Sequence, residues 1–164
     1  MKQLITIAAV VLAGCSNGTR MADVLVPPSD EKLITDPIVE TAVRKSLKKS
    51  EGELTEADLG NVIELILTDT QITDEGLKEM AKLQRLETLQ LSYTRITDAG
   101  IKEVAKSQQL GSLFLTDTQI TDAGIKDVAK LQKLKMLRIR GTKVTKVGVA
   151  ELKEALPNCI IYGP

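Results

Sequence analysis

The stretch that decides the fold is TLQLSYTRITDAGIKEVAKSQQL, residues 88–110. It has close copies on either side, ELILTDTQITDEGLKEMAKLQRL (64–86) and SLFLTDTQITDAGIKDVAKLQKL (112–134), and a looser one, MLRIRGTKVTKVGVAELKEAL, from Met136. Leu67, Leu91, Leu115 and Ile139 fall 24 residues apart, as do Thr70, Thr94, Thr118 and Thr142, and Gly76, Gly100, Gly124 and Gly148. A fixed period of this size points to stacked coils. Within one copy, Leu89 and Leu91 alternate as a strand with one inward face does. The Thr94 hydroxyl can bond neighbouring backbone where the chain turns, and Ile96 points back inside. Thr97 is placed to cap a helix, with Asp98 in its first turn against the positive helix end. Ile101, Val104 and Ala105 then have helical spacing. Gly100 costs helix propensity, which a close approach of adjacent helices would explain. No single copy can bury its apolar side; stacking does so.

The pattern L-x-x-L-x-L-x-x-T-x-I/V-T resembles the leucine-rich repeat, with Thr where many members place Asn, and it covers residues 59–162. It is similar to bacterial members with internalin-like or ribonuclease-inhibitor-like coils. The resemblance implies an α/β solenoid, a short horseshoe with parallel strands on its concave face and helices on its convex face. It also implies protein–protein binding as the default activity. The repeat domain is expected over 61–164, with LPNCIIYGP supplying a last strand over the sheet edge. A helical amino-terminal cap is expected over 36–60. Asp36 is its N-cap and Pro37 its first helical residue. Ile38, Val39, Ala42, Val43 and Leu47 form one apolar stripe, and Thr55-Glu-Ala-Asp58 resembles a capping box. This segment is similar to the amino-terminal caps of bacterial leucine-rich repeat proteins.

The chain opens MKQLITIAAVVLAGC. Its apolar run is too short for a transmembrane helix, which needs about 20 residues, and has the length of a signal-peptide core. Leu12-Ala13-Gly14-Cys15 resembles the bacterial lipobox. That resemblance implies a lipoprotein signal peptide over 1–14 and a diacylglyceryl thioether on Cys15, with membrane attachment through the lipid. Lys2 as the sole basic side chain before the run departs from the usual pattern. The rival reading is a buried first strand with an idle cysteine. Residues 15–35, with Gly, Ser, Asn and a Pro-Pro pair, read as the lipidated Cys and a flexible tether. The location implied is the cell envelope, at the outer membrane or cell surface.

The remaining composition mostly excludes. Twenty-two basic residues balance 22 acidic ones, which argues against nucleic acid as a partner. There is no His, and Cys15 and Cys159 are the only cysteines, so no zinc cluster or disulfide framework can be built. Cys159 reads as a buried, inert thiol. No nucleophile–base pair, phosphate loop or metal cluster is visible, so neither an enzyme nor a cofactor is expected. Asp74, Asp98 and Asp122 line up, but as helix-start residues one coil apart. With one Phe, two Tyr and no Trp, the core must be aliphatic.

Function is then expected on the outward strand residues. One column reads Ile66, Gln90, Phe114, Arg138; its neighbours are Glu64, Thr88, Ser112, Met136 and Thr68, Ser92, Thr116, Arg140. A further strip carries Asp69, Tyr93, Asp117, Gly141. Ile66, Gln90, Tyr93, Phe114, Arg138 and Arg140 are the candidate partner-binding residues, for a protein or a glycan. Phe114 reads as a contact hot spot or as a lone surface aromatic. Glu51, Glu53, Glu56, Asp58 and Glu64 crowd one end of the stack; Lys133, Lys135, Arg138, Arg140, Lys143 and Lys146 crowd the other. This polarity either orients a partner or is solvated charge, and self-association stays open. The leading reading is a membrane-anchored binding module. Its rivals are a structural component of the envelope and an enzyme inhibitor or accessory subunit.

Overall fold

Alternating apolar residues, a Thr-led turn and a short helix in each copy produce a repeating strand–turn–helix in the computed structural model, which describes residues 32–163. The expected signal peptide, the lipidated Cys15 and all of the tether before residue 32 lie outside the described residues. The elements run α1 (Pro37–Leu47), α2 (Glu56–Leu59), β1 (Glu64–Ile66), a 3₁₀ helix (Gly76–Lys82), β2 (Thr88–Gln90) and α3 (Asp98–Val104). There follow β3 (Ser112–Phe114), α4 (Asp122–Val128), β4 (Met136–Arg138), α5 (Lys146–Ala155) and β5 (Ile160–Tyr162). The five strands form one sheet in chain order. Every neighbouring pair is parallel and in a 24-residue register, so Leu65, Leu89, Leu113, Leu137 and Ile161 lie side by side. The result is an α/β solenoid, one parallel sheet built from successive coils with a helix following each of the first four strands.

The first four members of that row are fully buried, as are Leu67, Leu91, Leu115 and Ile139 two residues on. One continuous aliphatic core runs from Ile34 to Leu156. Inside the turns the Thr hydroxyls close local bonds. Thr94 Oγ1 donates to the Leu91 carbonyl at 2.6 Å, and Thr118 Oγ1 donates to that of Leu115 at 2.8 Å. Asp69, Tyr93 and Asp117 follow their strands with left-handed φ of 57°, 60° and 53°, and Gly141 takes their place with φ 72°. Before the first strand, Asp36 Oδ1 accepts from the Ile38 and Val39 amides, Val39 and Val43 are buried, and Thr55 and Asp58 form a reciprocal capping box. At the other end β5 covers the edge of β4.

Adjacent coils are also tied by a polar ladder. Thr97 donates its amide and hydroxyl to the two oxygens of Asp74, at 2.9 and 2.6 Å. Thr121 does the same to Asp98 and Thr145 to Asp122. Asp98 and Asp122 therefore start a helix in their own coil, and all three aspartates hold the helix N-cap of the next. They also account for the helical glycines, which the sequence attributes to closely approaching helices. A Cβ on Gly100 would strike the Asp74 carboxylate and come to 2.8 Å from Leu77 Cδ1, and one on Gly124 would strike Asp98.

Two expectations need correction. The first coil carries a 3₁₀ helix rather than an α-helix, begun at Glu75 without a side-chain cap. Asp36, the carboxylate nearest Gly76, uses Oδ1 to cap its own helix. Thr73 makes no bond to it, and so lacks the anchor that Thr97 and Thr121 receive. The second concerns the tether, expected to reach residue 35. Ile34 is 1% exposed within the core. Thr35 donates its amide and hydroxyl to Glu79 Oε1, at 3.1 and 2.6 Å, and Lys82 Nζ donates to the Leu33 carbonyl at 2.7 Å. An isolated isoleucine shows no period in sequence, so its burial was visible only once the first coil was in place.

Candidate recognition face

Strand alternation turns Leu89 and Leu113 inward and therefore Gln90 and Phe114 outward. The register sets Ile66, Gln90, Phe114, Arg138 and Tyr162 in one row across the sheet. Ile66 and Tyr162 are 46% and 47% exposed; Gln90 and Phe114 are half-buried and Arg138 is exposed. A parallel row contains Glu64, Thr88, Ser112, Met136 and Ile160. Gln90 Nε2 donates to Glu64 Oε1 at 2.9 Å, fixing that side chain.

The Arg138 guanidinium stands fourth in the main row, between the two aromatic members. Its Cζ lies 5.3 Å from the Phe114 ring centroid and 5.4 Å from that of Tyr162. These residues stand on the strands either side of β4, so the guanidinium is stacked between two rings. Among the described residues no carboxylate pairs with it. The same is true of Lys133, Lys135, Arg140, Lys143 and Lys146. By contrast Asp58, at the other end, is held by Lys49 at 2.8 Å. That ammonium, with the Thr55 amide and hydroxyl, brings the Asp58 pKa down to about 2.

The candidate residues do not all meet. Phe114 and Arg138 do, Gln90 and Ile66 continue their row, and exposed Arg140 extends the same side two residues beyond Arg138. Tyr93, 58% exposed, sits in the turn after β2, outside the row. Tyr162 and Ile160 join the rows without being among the candidates, and the signal that identifies them is the 24-residue step from Arg138 and Met136. Cys159 is half-buried rather than buried, and that burial pushes its thiol pKa up, which disfavours the reactive thiolate. Among the described residues no His, Cys, Asp or Glu side chains group so as to hold a metal ion, and no helix is long and apolar enough to cross a membrane.

A family model described as Leucine Rich repeat matches residues 61–81 and 82–105. No curated protein matches the chain. Among solved structures, an internalin from Listeria monocytogenes is similar with a TM-score of 0.58 at 21% identity, over 73% of this chain and 34% of that one. An internalin C2 from the same organism gives 0.54 at 26% identity, over 77% of this chain and 62% of that one. A leucine-rich repeat protein from Leptospira interrogans gives 0.50 at 24% identity, over 66% and 27%. The chain thus spans less than two thirds of the length of each. The likeness is one of fold. That fold is commonly used for protein–protein interaction, but fold alone does not fix what a chain does.

Proposed function

We propose that this chain is a lipid-anchored recognition module of the cell envelope that captures a protein partner on its sheet face. The observation that carries the reading is the in-register row from Ile66 to Tyr162, with the Arg138 guanidinium stacked between Phe114 and Tyr162. Arg and aromatic residues dominate binding hot spots, and a side chain already held by two rings loses little freedom when a partner docks. Gln90 and Ile66 extend the contact surface, and Tyr93 and Arg140 border it. The anchor is Cys15, supported by the apolar run and the Leu12-Ala13-Gly14-Cys15 ending. Cleavage before Cys15 frees its amine, and about 0.8 kcal/mol per buried methylene makes two or more acyl chains a durable hold.

Crosslinking from intact cells with the full chain as bait tests the face. Phe114→Ala and Arg138→Ala are expected to abolish capture while leaving the circular dichroism melt in place. Capture that survives both changes refutes face recognition, and a captured glycan with no protein replaces the partner class. Mass spectrometry of the mature protein tests the anchor, with an acylated Cys15 at the amino terminus as the expected result.

A further inference from the structure

Arg138 joins three properties that together specify a ligand chemistry. Its Cζ lies over both the Phe114 and the Tyr162 rings, which stand on the strands either side of it, and these contacts restrict where the guanidinium can move. Its N–H groups donate to no acceptor among the described residues. The planar fork of an unpaired guanidinium matches the two oxygens of a carboxylate, which it binds through parallel charge-assisted bonds. The surroundings reinforce the choice. Seven basic residues face two acidic ones between positions 131 and 163. The adjoining row supplies apolar surface: Met136, half-buried, beside Ile160, 58% exposed.

We infer that Arg138 is the carboxylate receptor of the face, and that the partner presents an extended acidic segment of polypeptide. One carboxylate side chain docks on the guanidinium edge, and a neighbouring apolar side chain rests on Met136 and Ile160. This deepens the recognition reading above and rests on it. A polypeptide fits better than an acidic glycan. Both rings already turn a face to Arg138, which reduces the ring surface on which a sugar would stack, and the aliphatic pair offers a sugar little.

Fluorescence anisotropy with a labelled peptide of alternating glutamate and valine, at low ionic strength, tests the inference. The full chain is expected to bind this peptide and not its glutamine–valine counterpart. Arg138→Lys keeps the charge but removes the planar fork, and is expected to weaken binding by roughly tenfold. Tyr162→Leu, which removes one of the two rings beside the guanidinium, is expected to weaken it several-fold. Lys153→Gln, an exposed change on α5, is expected to leave it unchanged. Three results overturn the inference: no binding of the acidic peptide, equal binding by Arg138→Lys, or an equal loss in Lys153→Gln, which would mean diffuse charge attraction. Binding of a galacturonate oligosaccharide in place of the peptide overturns it in favour of a glycan. In the cellular assay, capture lost in Phe114→Ala but kept in Arg138→Lys removes the carboxylate role and leaves face recognition standing. Capture kept in both Phe114→Ala and Arg138→Ala removes face recognition itself.

Discussion

At the scale of single residues, the helical glycines and the aspartates one coil earlier form one device. A carboxylate that must reach the N-cap of the next coil passes through the space where a Cβ would stand. Gly124→Ala improves intrinsic helix propensity by about 1 kcal/mol but pushes Asp98 off Thr121. We expect net destabilisation of about 1–3 kcal/mol in urea unfolding, the usual cost of overpacking. Adding Asp98→Ala to Gly124→Ala should cost less than Asp98→Ala does in the parent, because the clash and the lost bonds share one carboxylate. Strict additivity would mean that the glycine serves another purpose. Thr118 is a simpler case. Its hydroxyl is buried and donates to the Leu115 carbonyl, so Thr118→Val should cost about 1 kcal/mol.

At the scale of elements, the segment before α1 behaves as part of the cap. Ile34→Ala removes a fully buried side chain and should destabilise by about 2–4 kcal/mol; a flexible tether would show no change in the urea midpoint. The same segment is fastened through Glu79. Burial works to raise the Glu79 pKa, but the Lys82 ammonium and the Thr35 hydroxyl and amide outweigh it, so the net shift is downward from the ordinary 4.5. A carboxyl with a depressed folded pKa contributes stability above its unfolded value and loses it as pH falls through the folded one. Parent and Glu79→Gln should therefore differ in stability at pH 7, and the gap should narrow as pH falls below 4.5. A gap that stays constant down to pH 3 would show that the ionised form of Glu79 is not what holds the segment.

At the scale of the whole molecule, each coil is stabilised through its neighbours, so the stack should unfold as a unit. The two tyrosines report from separate places, Tyr93 after β2 and Tyr162 on β5. Leu113→Ala, in the middle strand, should lower the urea midpoint while the tyrosine fluorescence and far-UV dichroism transitions stay superimposed. Separated transitions would mean that the coils on either side of β3 hold together independently.

The repeat, the strand and helix positions, the Asp36 and Thr55 helix caps and the inward leucines could all be read from the chain. Burial imposes a local rule at a fixed period, and a local rule leaves its mark in composition and spacing. The row from Ile66 to Arg138 followed by the same arithmetic, and Tyr162 was open to it as well. Other features came only from tertiary structure. The Asp–Thr ladder joins residues 23 apart whose types already have a local explanation as helix-start residues, so nothing in the sequence demanded a second role. Ile34 is a lone apolar residue whose burial depends on the first coil being there to receive it. The Arg138 stack depends on which way a long side chain turns between two neighbouring strands. Periodicity specifies which face a residue takes, because that depends on its own backbone; which residues touch across coils depends on the stacking, and only the folded chain decides it.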